Sequence, residues 1–526
     1  MALHKTPGLG VHTTPTGVHR TPEHHRPGRW SLGSTTNGDG RDMTFFAQET
    51  WQSRGYLGGW IRFDQTADVV SPSTGETLAE IGIGSPAEMT EAIERADAAQ
   101  RDWGALPAER RAAVMRTAAG LLTEHGDILA QWLTAEGGSA GGKAAFEVGL
   151  VTDELHLAAG TATMPYGELL TSSHPRLSLA RRRPVGTVGV ISPFNFPAIL
   201  AARSVFPALA LGNAVVLKPD PRTAVCGGLF LAALLEEAGL PEGVFAVIPG
   251  GVETASVLID HPAVPVISFT GSTQAGRAIG ERAGRNLKRA HLELGGNNAM
   301  IVMPDVDVPA AASAGAWGSF LHQGQICMTT GRHLVHADVY DEYAERLSGK
   351  ARALTAADPA TGAPLGPIID AGQRDRIHQL VTSTVDAGAT VLAGGEYTGL
   401  FYQPTVLGDV QTDHPAYAQE VFGPVAPLLR FEDLDEAIDL VNASEYGLSV
   451  AILAGDAFRA YELADRIDAG ILHINDQTVD DESQAPFGGT RNSGTGARFG
   501  GHAANIEAFT DTQWVTMQSH IQPYPF

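Results

Sequence analysis

From Val185 onward the chain alternates short, uninterrupted apolar runs with segments of helical period. Val185 to Ile191, Ala214 to Leu217, Val244 to Ile248 and Val264 to Phe269 read as buried strands, with helices at Thr223 to Ala238 and Gln274 to Ala283 between the later ones. Strand, helix, strand at this spacing predicts a parallel sheet covered on both faces, since a parallel return needs a crossover long enough to hold a helix. A second alternation follows: Ala299 to Met303, a helix around Ala310 to Phe320, Arg332 to His336, then a long helix from Val339. The pattern therefore predicts an α/β protein with two lobes. Upstream, Ser85-Pro86-Ala87-Glu88 starts a helix of capping-box type that runs to about Trp103, and Pro107 opens another through Leu122. The polar, proline-containing end, Trp514 to Phe526, suits an edge strand or an arm.

The first 42 residues break this pattern. They are rich in Pro, Gly and His, with no secretory apolar core, and too few apolar groups to offset chain entropy, so a disordered tail is expected, with Met43 as a second candidate start. Elsewhere, the most apolar stretch, Val185 to Leu217, is interrupted by Pro193, Pro197, Pro207, Asn195 and Asn213 and reads as soluble core rather than a bilayer span. With 36 Lys+Arg against 59 Asp+Glu the net charge is −23, which disfavours nucleic acid as a partner. The two cysteines, Cys226 and Cys327, form neither a disulfide framework nor a metal-ligand spacing, so no metal is expected and a reducing cytoplasm fits.

Several local motifs carry chemistry. Strand Val264 to Phe269 runs into Thr270-Gly271-Ser272-Thr273-Gln274-Ala275-Gly276, where small residues let a pyrophosphate approach a helix N-terminus, although the dinucleotide fingerprint G-x-G-x-x-G is absent. Lys218-Pro219-Asp220 follows strand Ala214 to Leu217 at the edge where open α/β sheets bind ligands. Cys327 lies in a polar, glycine-containing turn and is the candidate thiolate nucleophile; Cys226, among Ala, Gly and Leu, reads as packing. Glu293, a carboxylate between leucines before two glycines, is the candidate general base. Asn195, set among Pro193, Phe194, Phe196 and Pro197, offers an amide donor for a developing oxyanion. Gly137-Gly138-Ser139-Ala140-Gly141 formally matches the serine hydrolase G-x-S-x-G, but that motif needs a preceding strand where Asp127 to Glu136 reads as helix.

Together, Pro193 to Pro197, Lys218-Pro219, Phe269 to Thr273, Glu293 to Gly296, Gly324 to Cys327, Glu420-Val421-Phe422-Gly423-Pro424 and Pro486-Phe487-Gly488-Gly489 resemble the NAD(P)-dependent aldehyde dehydrogenase superfamily across roughly Trp51 to Trp514. The sequences around Cys327, Lys218 and Arg203 and the terminal Tyr524-Pro525-Phe526 resemble bacterial benzaldehyde dehydrogenases most.

The resemblance implies an aldehyde-dehydrogenase-like fold: a variant Rossmann cofactor lobe (43–165 and 185–293), a catalytic lobe (294–500) and a β oligomerisation arm (166–184 and 501–526) that makes a homodimer or homotetramer. It implies Cys327 as nucleophile through a thiohemiacetal and thioester, Asn195 and the Cys327 N–H as oxyanion donors, and Glu293 as activator of the hydrolytic water. It assigns Glu420 and Phe422 to the nicotinamide end of the cofactor, Lys218 to the adenine ribose, and Gly271, Ser272 and Gly276 to the pyrophosphate turn. Many NAD-using members carry glutamate three residues after the lysine, where Pro221 stands here; with Asp220 beside it NAD is expected and NADP left open. Phe196, Ile199, Phe320 and Arg203 are the expected substrate pocket. Asp476, Asp480, Asp481 and Glu482 near its mouth disfavour anionic aldehydes, so a neutral aromatic aldehyde is expected. Vanillin, salicylaldehyde, an aliphatic aldehyde or a semialdehyde are the alternatives, and a serine esterase the alternative of another class.

Overall fold

The computed structural model describes residues 43–164 and 167–526. The proposed tail (1–42) and the domain boundary at 165/166 lie outside the described residues.

Two seven-stranded sheets organise the chain. The first is ordered Arg289–Glu293, Val266–Thr270, Thr187–Ile191, Ala214–Lys218, Phe245–Val247, Arg54–Leu57, Trp60–Arg62, parallel through its first five strands and antiparallel at Arg54–Leu57 and Trp60–Arg62. Its parallel strands are almost wholly buried, as a sheet covered by helices on both faces must be. The helix Pro197–Ala210, within the apolar stretch read as core, supplies the first crossover, and Val252–Asp260 is a further helix between strands. From Thr187–Ile191 the chain proceeds outward through Ala214–Lys218 to Phe245–Val247, then returns to lay Val266–Thr270 on the opposite side of Thr187–Ile191. This reversal opens a crevice at the carboxyl ends of those two strands, the place where open α/β sheets bind ligands.

The second sheet runs Thr390–Ala393, Thr405–Gly408, Val425–Phe431, Thr330–His336, Asn298–Val302, Ser449–Leu453, Ile471–Ile474, parallel except for the Thr390–Ala393 edge. A third, three-stranded sheet joins Thr510–Met517 to Leu177–Pro184 and Gly167–Leu169, with Met517 opposite Leu177 and Thr510 opposite Pro184. Of the polar end expected as an edge strand, residues 514–517 pair in this sheet and 518–526 lie outside any strand.

The capping box at Ser85 forms as expected: Ser85 Oγ accepts from the Glu88 N–H, and Glu88 Oε2 accepts from the Ser85 N–H at 2.6 Å. The next helix is longer than expected. It runs Ala108–Ala135, past Leu122, because Gly126 packs so closely on Val148 of helix Gly141–Ala162 that a Cβ there would lie 2.8 Å from the valine methyl. Close helix contact outweighs the propensity cost of glycine, about 1 kcal/mol. Among the described residues no helix is long and apolar enough to cross a membrane.

Candidate active site

Asn195 lies in the turn between strand Thr187–Ile191 and helix Pro197–Ala210. A buried ion pair holds this turn. Lys143 Nζ donates to Glu147 Oε2 and, at 2.9 Å, to the Asn195 carbonyl, while Glu147 Oε1 accepts from the N–H groups of Ala198 and Ile199 at 2.9 and 3.2 Å. A carboxylate at a helix N-terminus satisfies donors the helix cannot, and it favours the dipole. The Lys143 ammonium also sits 4.0 Å from the centre of the Phe196 ring. With its backbone fixed, Asn195 Nδ2 donates to the Gln325 carbonyl at 2.8 Å.

Cys327 follows a strained turn in which His322, Gln323 and Gly324 all have positive φ. A Cβ at Gly324 would fall 2.1 Å from the Gly423 carbonyl oxygen, so the close approach of the Phe422–Pro424 loop demands glycine. Phe422 itself has φ 55, a conformation that costs about 1–3 kcal/mol and persists where the surroundings over-determine it. Asn298 braces the turn from the other side, donating to the carbonyls of Cys327 and Thr329 at 2.8 and 2.9 Å. Burial, reinforced by Glu420 and Glu293, pushes the Cys327 thiol up to about 12, with Arg203 opposing. It rests as a thiol.

Two pockets meet at Cys327. One is the crevice of the first sheet, a cleft of about 1020 Å³ between Pro193–Asn195 and Thr270–Gln274, closed by Leu294, Gly295, Gln373, Arg376, Glu420, Phe422 and Tyr446. The Ser272 side chain caps helix Thr273–Arg285 by accepting from Ala275, and the N–H groups of Thr273 and Gln274 face no intrahelical acceptor. Glu420 Oε1 accepts from the Gly296 N–H at 3.0 Å, and burial lifts its carboxyl to about 7. The other is an apolar slot of about 430 Å³ lined by Phe146, Leu150, Phe196, Ile199, Leu200, Ile326, Met328, Val479 and Phe487, with Arg203, Asp480 and Asp481 as its polar members. Asn195, Leu200 and Cys327 belong to both.

Glu293 ends strand Arg289–Glu293 and lines neither pocket. Its Oε2 accepts from the Gly489 N–H at 3.3 Å and its Oε1 has no partner. Burial raises this carboxyl well above the usual range, while the Gly489 N–H, Arg498 and Arg203 oppose the shift.

Residues 60–515 match the family model for the aldehyde dehydrogenase family. The chain belongs to that family. The vanillin dehydrogenase of an Amycolatopsis species is 58% identical over 92% of this chain and all of its own length. The NAD(+)-dependent benzaldehyde dehydrogenase of Pseudomonas putida is 46% identical over 91% of this chain and 99% of its own. Among solved structures, betaine aldehyde dehydrogenase from Staphylococcus aureus in complex with NAD+ superposes with a TM-score of 0.88 at 29% identity, covering 91% of this chain and 97% of the other.

In this aldehyde dehydrogenase fold most of the expected residues converge. Cys327, Asn195, Phe196, Ile199 and Arg203 line the slot, and Gly271, Ser272, Glu420 and Phe422 line the cleft. Three expected residues have other contacts in the structure. Phe320 is 1% exposed in the core of the second sheet with Val308, Tyr343 and Leu347 and does not line the slot, because its helix turns that face toward the sheet. Gly276 sits inside helix Thr273–Arg285, where a Cβ would meet Leu294 at 2.3 Å, so it serves helix packing rather than the cleft. Asp220, expected at the ribose, spends both carboxylate oxygens on Arg222, at 2.9 Å to Nε and 2.7 Å to Nη2, and Arg222 lies over Phe194. Lys218 stands at the end of its strand, with its ammonium 3.4 Å from the Pro219 carbonyl.

Ser139 follows helix Ala108–Ala135 with no strand before it and is buried, so the hydrolase motif is a helix end. Cys226 is fully buried and unreactive packing, with its thiol raised by burial. Lys143, Glu147, Asn298 and Arg376 were not singled out from sequence. A charged Lys–Glu pair at i, i+4 signals only a helix face until the tertiary structure buries it.

Proposed function

We propose that this chain oxidises a neutral aromatic aldehyde to the carboxylic acid with NAD as acceptor. One observation carries the reading: Cys327 and Asn195 form the common wall between a slot lined mainly by apolar and aromatic side chains and a polar cleft ending at a helix N-terminus. The similarity to the Amycolatopsis and P. putida enzymes supports the aromatic substrate, and the P. putida and S. aureus proteins support NAD.

The cleft fits a dinucleotide. A Cβ at Gly295 would strike the Glu420 carboxylate at 2.3 Å and one at Gly271 the Phe269 ring at 2.5 Å, so glycine at both positions keeps the wall open and Glu420 in place. Thr273 and Gln274 would take the pyrophosphate, Glu420 the nicotinamide ribose and Lys218 the adenine ribose. Bound there, NAD supplies the hydride acceptor.

Cys327 gives its proton to water, its thiolate adds to the aldehyde carbon as the carbonyl π bond becomes an oxyanion, and Asn195 Nδ2 with the Cys327 N–H holds that oxyanion of the thiohemiacetal. After oxidation to the thioester, Glu293 takes a proton from water through its unpartnered Oε1, water adds to the thioester carbon, and the acid departs as the Cys327 sulfur regains its proton. Glu293 rotates away from the Gly489 N–H to do so.

The two sheets and the arm support domains at 43–165 with 185–293, 294–500, and 166–184 with 501–526. Exposed Leu169, Trp514 and Met517 on the arm support a homodimer or homotetramer, which light scattering measures. Two free thiols support a cytoplasmic setting.

The test is a panel of aldehydes with NAD and with NADP on the wild type and Cys327→Ala. Benzaldehyde with NAD should give the higher kcat/KM and the variant none; an equal or higher kcat/KM for succinic semialdehyde overturns the aromatic reading.

A further inference from the structure

The apolar slot ends in a polar pair that the chemistry described above does not use. Arg203, on helix Pro197–Ala210, and Asp481, on the loop before Phe487, form an ion pair through Arg203 Nη2 and Asp481 Oδ2. Their side chains are only 6% and 12% exposed. The guanidinium is pinned 4.4 Å over the Phe487 ring, itself a wall of the slot. Yet the pair is only half satisfied: Arg203 Nη1 and Asp481 Oδ1 are both buried and neither has a hydrogen-bond partner. Buried polar atoms are nearly always paired, and an orphaned donor beside an orphaned acceptor in a ligand pocket indicates a group that arrives with the ligand.

We infer that Arg203 and Asp481 together read a hydroxyl on the ring of the aldehyde, so that hydroxylated aromatic aldehydes are preferred to unsubstituted ones. A hydroxyl alone among common ring substituents answers both atoms, accepting from Arg203 Nη1–H while donating to Asp481 Oδ1. A methoxy or nitro group accepts only and leaves Oδ1 orphaned. A carboxylate accepts only and meets two acidic side chains, Asp481 and Asp480, both on the slot wall. Asp480 Oδ1 accepts from the Asp481 N–H at 3.0 Å. The other titratable groups in the field of Arg203 are Glu154, Glu293 and Cys327. Glu154 is buried with both oxygens unpartnered and is lifted to about 8, so near neutrality Asp481 is the anion that faces Arg203. The acidic mouth expected from sequence is thereby part of a neutralised reader rather than a bare negative field.

This inference rests on the aromatic reading of the slot, and the experiment separates the two. Steady-state kcat/KM with NAD is measured for benzaldehyde, its three monohydroxy isomers, the matching methoxy compounds and hexanal. At least one hydroxy isomer should exceed benzaldehyde by about tenfold or more, chiefly through KM, and its methyl ether should lose the gain. In Asp481→Asn and Arg203→Lys the hydroxy-to-benzaldehyde ratio should fall toward one. Ratios within about twofold of one for all three isomers on the wild type, or a preference that survives both substitutions, overturn the inference while leaving aromatic oxidation intact. Hexanal outperforming every aromatic compound overturns the aromatic reading and this inference with it. The wild-type series needs no variant to fold, so the test stands even if a substitution at Arg203 destabilises the lobe.

Discussion

Asn195 Nδ2 lies 2.8 Å from the carbonyl oxygen of Gln325, two residues before Cys327. This bond couples the first sheet's switch-point turn to the strained turn of Cys327, so the amide and the thiol hold a fixed relation. An amide nitrogen has two hydrogens, so under the proposed mechanism the one not given to Gln325 serves the oxyanion. Asn195→Ala should therefore lower kcat by about 10²–10³-fold, the usual loss for one oxyanion donor. Alkylation of Cys327 should proceed at close to the wild-type rate, which separates a lost donor from a collapsed turn.

The Cys327 thiol, pushed up to about 12 mainly by burial, is protonated near neutrality. Only the thiolate reacts, so inactivation of the cofactor-free enzyme by iodoacetamide should rise about tenfold per pH unit from roughly pH 7 to 9 without a plateau. Glu420→Gln removes a neighbouring negative charge and should speed the reaction at fixed pH. A plateau below about pH 8 in the wild type would refute the raised thiol.

Glu154 is buried with both oxygens unpartnered, and burial lifts its carboxyl from 4.5 to about 8. The folded state then holds a proton that the unfolded chain releases, so stability is complete below about 4.5 and declines as pH rises through about 8. The slope is at most about 1.4 kcal/mol per pH unit. Glu154→Gln lacks this proton, so the Tm of the variant minus that of the wild type should grow with pH across that window and level off above it. A difference that stays flat in thermal melts contradicts the protonated assignment.

Gly295 gives way to the Glu420 carboxylate, which would lie 2.3 Å from a Cβ at that position. Gly295→Ala should displace Glu420 from the cleft and weaken NADH binding by about tenfold or more in a fluorescence titration. Melting should change little, since Gly295 lies beyond the end of its strand.

The parallel order of both lobes was legible in Val185 to Phe269 and Ala299 to His336, because strands buried on both faces read as unbroken apolar runs whatever their partners. Cys327, Glu293 and Asn195 stood out as candidates because each is a reactive or costly residue type set in a turn of small or rigid neighbours; the structure places Cys327 and Asn195 on both pockets and Glu293 on neither. Phe320 was open between slot and core, because an aromatic near Cys327 in sequence is as readily turned either way, and only the packing of helix Val308–Phe320 on the second sheet places it in the core. Asp220 gave no sign in the sequence of its pairing with Arg222, because the fork of Arg222 folds back on it, a contact two residues apart that charge spacing does not reveal.

The sequence by itself determined the fold class and the family, since these follow from local hydrophobic period and from motifs whose residues are adjacent in the chain, and it singled out Cys327, Glu293 and Asn195 as candidates. Only the tertiary structure decided that Lys143 and Glu147 brace the oxyanion turn, that Phe320 and Gly276 serve packing, and that Arg203 meets Asp481 across a separation of 278 residues. Those relations depend on which faces two distant segments bury against each other. No local pattern encodes that, because the same side chains at the same spacing would sit in solvent if the opposing segment were absent.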